Sequence, residues 1–397
     1  MTVYDVIIIG AGVVGTAIAR ELSRYKLRIA LLEKEEEPAF GVSKSNSGII
    51  HPGTQNSPHS LKGRLCALGN TLIRSISREL GVDFKEVGEL IVIFHPDDME
   101  RLLVLKRDAE SLGVRRLEIV DQKWLRMHEP NLSHEAHAAL YAPTAGILSP
   151  YRLVYDMGEN AARNGVEIYT GHTVNDISRG AAASGKTPFE ITTSRATFTA
   201  RYVVNAAGLF ADTIARMAGI DNFRIRPRKG EEFILDKKRE HIANHLLFPL
   251  PSKTSKGILV IKTADGNPMI GPTAEDIEDK EDFSTSDTGF ERVLEGARRM
   301  ISTINADDVI AYFAGSRPVA GDDFIIRHEA AVPGLITVAG IQSPGLTAAP
   351  AIALMVRDLL RNNGLALKKK LIFHAHRRKT VHLFAAPFSE TQRLIRR

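Results

Sequence analysis

The sequence predicts an α/β fold with an α+β second domain: a parallel sheet interleaved with an antiparallel one. Three observations predict it. An apolar, β-branched run, Tyr4-Asp5-Val6-Ile7-Ile8-Ile9, leads directly into Gly10-x-Gly12-x-x-Gly15, after which Ala17, Ile18, Ala19 and Leu22 recur at helical spacing. Strand–turn–helix units of the same kind return at 202–218 and 335–362. Strand-rich segments of mixed pattern, 224–275 and 309–328, lie between them.

The first unit is a Rossmann-like nucleotide fingerprint. Gly10 permits the tight turn, Gly12 lets the backbone approach a pyrophosphate, and Gly15 lets helix and strand pack closely. The helix N-terminus presents N–H groups to the phosphates. The second apolar run, 27–32, ends at Glu33, whose carboxylate can accept hydrogen bonds from ribose hydroxyls and disfavours a 2′-phosphate. Residues 35–58 read as a long loop, 61–80 as a helix, 89–94 as a strand and 95–112 as a helix opened by Pro96-Asp97-Asp98. Residues 120–148 read as irregular. Ser149 at the N-cap and Pro150 at N1 open a helix to 164. Strands follow at 165–176 and a hairpin at 189–200. A buried strand at 202–205 runs into Ala206-Ala207-Gly208 and a helix at 209–218. The last unit is a strand at 335–339, a turn at 340–347 and a helix at 348–362.

Composition limits the function classes. Residues 368–397 hold nine Lys/Arg and one acid, a local charge of +8, so the rest is near −3 of a total of +5. The basicity sits in a tail, and no nucleic-acid recognition module accompanies it; an acidic partner or a membrane surface suits such a tail equally. Cys66 is the single cysteine, which excludes an internal disulfide, a CxxC redox pair and a cysteine-ligated cluster within this chain. It reads as a small buried apolar residue. No apolar run reaches eighteen residues, and a cytoplasmic location is the default expectation, with peripheral membrane contact left open. No metal site is predicted.

One fingerprint accommodates one dinucleotide, NAD or FAD. Three features favour FAD: the extreme N-terminal fingerprint, the late strand end Asn205-Ala206-Ala207-Gly208 with a further glycine turn near the C-terminus, and the loop 43–53, placed to line a bulky ring system.

Several further motifs carry a family resemblance. They are Ser45-Asn46-Ser47-Gly48-Ile49-Ile50-His51, Arg228-Lys229-Gly230-Glu231, Lys256-Gly257, Gly271-Pro272-Thr273, Phe313-Ala314-Gly315-Ser316-Arg317-Pro318 and Ser343-Pro344-Gly345-Leu346-Thr347. With the fingerprint, and over roughly residues 3–362, the chain resembles the FAD-dependent glycerol-3-phosphate dehydrogenases and α-glycerophosphate oxidases of the D-amino-acid-oxidase-like family. The resemblance implies an FAD-binding domain of residues 1–85, 149–218 and 335–365, and a substrate domain of 86–148 and 219–334. Residues 366–397 resemble a linker to a cysteine-rich iron–sulfur domain.

It also implies a reaction: oxidation of sn-glycerol 3-phosphate to dihydroxyacetone phosphate, with hydride transfer to flavin N5. His51 is the expected base, since an imidazole titrates near about pH 6.5. Arg317, framed by Gly315 and Pro318, suits bidentate capture of a phosphate or carboxylate. Lys256 is expected at the active site, and Lys229 as a further anion contact. The expected cofactor contacts are Gly10, Gly12, Gly15, Glu33, Ser45, Asn46, Ser47, Gly48, Val174, Ala206, Gly208, Gly315, Gly340, Ser343, Gly345, Leu346 and Thr347. Two alternatives remain open: a dehydrogenase or oxidase of L-2-hydroxyglutarate or another 2-hydroxy acid, and a flavin-bearing subunit of an electron-transfer assembly. The acceptor is open between oxygen, quinone and an iron–sulfur partner, as is homo-oligomerisation.

Overall fold

The computed structural model describes residues 3–179, 188–251, 257–377 and 387–395. Two sheets carry the architecture. In the first, parallel strands lie in the spatial order Val166–Tyr169, Ile29–Leu32, Val3–Ile9, Thr197–Asn205, Leu335–Ala339. Val6 and Ile8 pack on one face beneath the helices Val13–Leu22, Leu61–Leu80, Pro150–Arg163 and Gly345–Asn362. Ile7 and Ile9 pack on the other, against the hairpin Val174–Arg179/Phe189–Thr193 and the helix Ala211–Met217. Burial on both faces is why the first strand reads as an unbroken apolar run.

The second sheet runs Val309–Val319, Arg226–Leu235, Pro268–Gly271, Leu259–Lys262, Leu246–Pro249, Glu89–Ile93, Ala138–Ala142, Glu118–Asp121. Its pairings are antiparallel except that Leu246–Pro249 lies parallel to Glu89–Ile93. A small sheet of Ile49–Ile50, Gly146–Ile147 and Lys85–Glu86 joins the two bodies.

The structure departs from the sequence expectation in four places. Residues 120–148 are not irregular: they hold the end of Glu118–Asp121, the helix Gln122–His128, and the strands Ala138–Ala142 and Gly146–Ile147. Each is too short to display a period, and the strands owe their order to partners far along the chain. A helix, Asp287–Met300, occupies a stretch where none is predicted; Ser286 Oγ caps it by accepting the Gly289 N–H at 3.0 Å. Ile325–His328 was expected in the substrate domain but pairs with Leu335–Ala339 in the first sheet, because a turn closed by the Glu329 and Leu335 backbones folds it back.

The tail is the fourth. Rather than leaving as a linker, its first part packs on the nucleotide half: Lys26 N–H donates to the Lys368 carbonyl at 2.8 Å and Lys370 N–H to that of Arg24 at 2.9 Å. Arg377 reaches Asp156 and Glu159, each at 2.6 Å. The buried Asp156 carboxyl also pairs with Arg152 at 3.4 Å, and Arg377 offsets the rest of its desolvation cost. No helix among the described residues is long and apolar enough to cross a membrane.

Candidate active site

A cleft of about 1800 Å³ runs from the glycine turn at the carboxyl ends of the parallel strands to the face of the second sheet. Gly10 stands at φ +103, and a Cβ there would come within 2.5 Å of the Ala206 carbonyl oxygen. A Cβ on Gly15 would come within 1.8 Å of the Gly10 carbonyl oxygen, so turn and helix touch backbone to backbone. Gly12 lines the cleft at the N-cap of Val13–Leu22, a helix with no acid in its first turn. Glu33 accepts from Ala11 N–H at 2.6 Å and from Glu35 N–H at 3.1 Å, and thereby fixes the turn as well as facing the cleft. Burial pushes its carboxyl up from the usual range.

Of the other expected cofactor contacts, Ser45, Asn46, Ser47, Val174, Ala206, Gly208, Gly315, Ser343, Gly345 and Leu346 line the same cleft. Gly315 is a close-approach glycine: its Cβ would meet the Ser45 carbonyl oxygen at 2.5 Å. Gly15, Gly48, Gly340 and Thr347 stand behind the wall. Gly48 and Gly340 take positive φ of +69 and +67 in the turns that shape the wall. Thr347 is fully buried, and its Oγ1 accepts the His51 N–H at 2.9 Å.

His51 is 8% exposed and lines the cleft. Its carbonyl accepts from Asn70 Nδ2 at 3.0 Å and from the Cys66 thiol at 3.5 Å, so the backbone is held on both sides. The ring lies edge-on to Phe248, centroid to centroid 5.9 Å. Nε2 is 3.4 Å from Ser343 Oγ, and Nδ1 is 3.9 Å from Glu89 Oε2.

Strand Arg226–Leu235 sorts its side chains by alternation. Arg226, Arg228, Gly230 and Glu232 face the cleft, and Lys229 turns away. The Lys229 ammonium bonds Asp282 at 2.8 Å and holds that carboxyl down at about 2. Arg317, one strand over, is half-buried in the cleft and donates to the Thr273 carbonyl at 3.0 Å. Lys256 lies outside the described residues; its neighbour Gly257 lines the cleft.

Two buried carboxyls escape sequence reasoning, Glu89 beside His51 and Glu232 beside Ser47. Glu89 opens an otherwise apolar strand, and Glu232 sits in a charged one, where the alternation with Arg226 and Arg228 is the signal that places it on the cleft face. Glu232 accepts from the Ser47 hydroxyl, while its Oε2 has no hydrogen-bond partner. Burial pushes this carboxyl up to about 7, against the opposing pull of Ser47 and the Arg317 guanidinium.

The Glu232 shift has a stability consequence. The folded chain holds this proton more tightly than the unfolded one, whose carboxyl titrates near 4.5. Its contribution is therefore complete below pH 4.5 and is lost as pH rises through about 7, amounting to at most about 3 kcal/mol. Glu232→Gln is expected to flatten the fall in Tm between those limits; an unchanged slope in a pH series of thermal melts overturns the assignment.

Comparison with known proteins identifies the scaffold. The DAO family, described as FAD dependent oxidoreductase, matches residues 5–359. The chain belongs to this family of FAD-dependent oxidoreductases. A glycerol 3-phosphate dehydrogenase of Caloramator mitchellensis is 40% identical over 99% of this chain and 81% of its own length. An L-2-hydroxyglutarate dehydrogenase of Escherichia coli (strain K12) is 31% identical over 75% of this chain and 72% of its own. The dithionite-reduced L-α-glycerophosphate oxidase from Mycoplasma pneumoniae, solved with FAD bound, superposes with a TM-score of 0.89 at 31% identity, covering 95% of this chain and 99% of that one.

The residues present fit the family's FAD. The Gly10–Gly15 turn leaves backbone where side chains would block a diphosphate, and the cleft exceeds the roughly 300–1,000 Å³ of an ordinary small-ligand pocket. Glu33 and His51 both line this cleft.

Proposed function

We propose that this flavoenzyme oxidises sn-glycerol 3-phosphate at its secondary carbinol, giving dihydroxyacetone phosphate. One observation carries the reading: a buried imidazole and a half-buried guanidinium, His51 and Arg317, share the cleft that fits FAD. The dehydrogenase relative at 40% identity supports the substrate. FAD, when bound, supplies the two-electron acceptor for the carbinol hydride. His51 takes the hydroxyl proton at Nε2, the nitrogen on the Ser343 side. Arg317 binds the phosphate through its planar fork. Lys256 and Lys229 are further proposed anion contacts, and Lys229 reaches the anion only by releasing Asp282. The glycine turn, Glu33, the 45–48 loop, Val174, Ala206, Gly208 and the 340–347 turn are the proposed cofactor cradle.

A 2-hydroxy acid is the second reading, favoured by the L-2-hydroxyglutarate dehydrogenase relative. A carboxylate satisfies Arg317 as a phosphate does. Anaerobic mixing separates the two: bleaching of the flavin band by glycerol 3-phosphate supports the first, and bleaching by L-2-hydroxyglutarate alone overturns it. Arg317→Leu is expected to lower kcat/KM about 30- to 1,000-fold, the roughly 2–4 kcal/mol lost with a buried charge-assisted contact. Steady-state kinetics should place this loss mainly in KM, and an unchanged KM rules Arg317 out as the anion contact.

A further inference from the structure

We infer that Glu89 is the positioning residue for His51: it orients the imidazole through Nδ1 and stabilises the imidazolium formed when Nε2 takes the substrate proton. This rests on the proposed role of His51 as base. Glu89 is fully buried at the start of strand Glu89–Ile93, paired across the sheet with Leu246 and Ala142. A carboxylate in such surroundings needs partners. Oε1 accepts the Thr54 hydroxyl, itself buried. Oε2 has no hydrogen-bond partner, and the group that faces it is His51 Nδ1 at 3.9 Å. That is one small ring rotation from a hydrogen bond, and catalytic bonds of this kind tighten when the ligand binds.

The His51 residue is fixed in place. Its N–H is tied to Thr347, its carbonyl to Asn70 and Cys66, and its edge to Phe248. With Nδ1 turned to Glu89, Nε2 is left on the Ser343 side, where the cleft lies. A proton on Nδ1 directed at Glu89 makes Nε2 the free base, which is the tautomer the reaction requires. The Glu89 carboxylate faces the His51 ring, and the Cys66 thiol meets the His51 carbonyl. Arg317, Glu232 and Lys62 line the same cleft. The carboxylate, 3.9 Å from Nδ1, is placed to act on the imidazole.

The test uses the FAD-loaded enzyme and its Glu89→Gln and Glu89→Asp variants. Gln keeps the shape and the Thr54 bond but removes the charge. His51 is titrated by NMR with labelled histidine, assigned by the loss of its signal in His51→Asn, and substrate-driven flavin reduction is followed across pH. Removing a neighbouring carboxylate is expected to lower the His51 midpoint by about one unit or more. The plateau rate of reduction should fall at least about tenfold, with KM near the parent value. Glu89→Asp, which keeps the charge, should restore the midpoint to within about half a unit of the parent. An unchanged His51 midpoint in Glu89→Gln overturns the inference, even if the rate falls, because a merely structural carboxyl would behave so. If Glu89→Gln does not fold, the comparison moves to Thr54→Val, which frees Oε1 while leaving the carboxylate in place. Its His51 midpoint should move from the parent value, and no movement overturns the inference. The titration uses no substrate. A lowered midpoint with no bleaching by glycerol 3-phosphate sinks the substrate reading and leaves the Glu89–His51 pair standing.

Discussion

His51→Asn slows substrate-driven flavin reduction about 10²–10⁴-fold, the range expected when a general base is removed. The purified variant stays yellow and its KM changes little. Asn retains a polar side chain of similar reach but cannot accept a proton at neutral pH. The fold has reason to survive: what anchors position 51 is its backbone, held by Thr347, Asn70 and Cys66, and none of those bonds uses the imidazole. The loss therefore belongs to the chemical step. Stopped-flow absorbance at the flavin band checks it anaerobically across pH. The parent should show a rate that rises with pH as the imidazole gives up its proton, and the variant should lose that limb. A variant within a factor of about three of the parent removes His51 from the role of base, and with it the Glu89 argument.

Much of this site is legible from residue type and spacing, and what is hidden is hidden for definite reasons. The glycine turn is readable because a positive φ at Gly10 and the backbone contact at Gly15 admit no other residue. The strand Leu335–Ala339 and the helix Leu61–Leu80 end where the sequence predicts, since each is bounded by turn residues and strongly patterned. His51 and Arg317 stand out as polar residues in otherwise apolar or glycine-rich frames. Glu89 and Glu232 do not, because an acid in a strand is ordinarily a solvated edge position. Only the pairing of distant strands turns them inward, and that pairing is not a local property. Lys229 shows the same limit from the other side. Its motif points to an anion, but the strand register turns it to Asp282 and gives Arg226 and Arg228 the cleft instead. The short strands of 118–147 escape because tertiary pairing, not propensity, holds them. The helix Asp287–Met300 is legible although it is not predicted above: Val293, Leu294, Ala297 and Met300 recur at helical spacing behind the Ser286 cap.

Gly15→Ala should cost both the cofactor and the fold, whereas Gly12→Ala should cost the cofactor alone. The contrast follows from what one added methyl meets. At Gly15 it would stand 1.8 Å from a backbone oxygen, that of Gly10, which cannot swing aside. Helix Val13–Leu22 would have to lift from strand Val3–Ile9, opening the contact beneath Ile8 and Ile18 in the core. Overpacking of this kind costs about 1–3 kcal/mol or more and here also displaces the N–H groups aimed at the diphosphate. At Gly12 the methyl would meet only the Ser43 hydroxyl, at 3.1 Å, a side chain able to give by a few tenths of an ångström. Ser43 Oγ accepts the Val13 N–H at 2.9 Å, so that shift loosens one cap bond and little else. But Gly12 lines the cleft, and a methyl there stands where the main chain would approach the diphosphate. Gly15→Ala is thus expected to purify colourless with a Tm several degrees below that of the parent stripped of FAD. Gly12→Ala should match the stripped parent in Tm yet bind added FAD at least about tenfold more weakly, in line with the loss of a close phosphate contact. Absorbance ratios, thermal melts and FAD titration read both. A yellow Gly15→Ala with the parent's Tm would mean that helix and strand are not packed backbone to backbone, and the cradle built on that contact would fail with it.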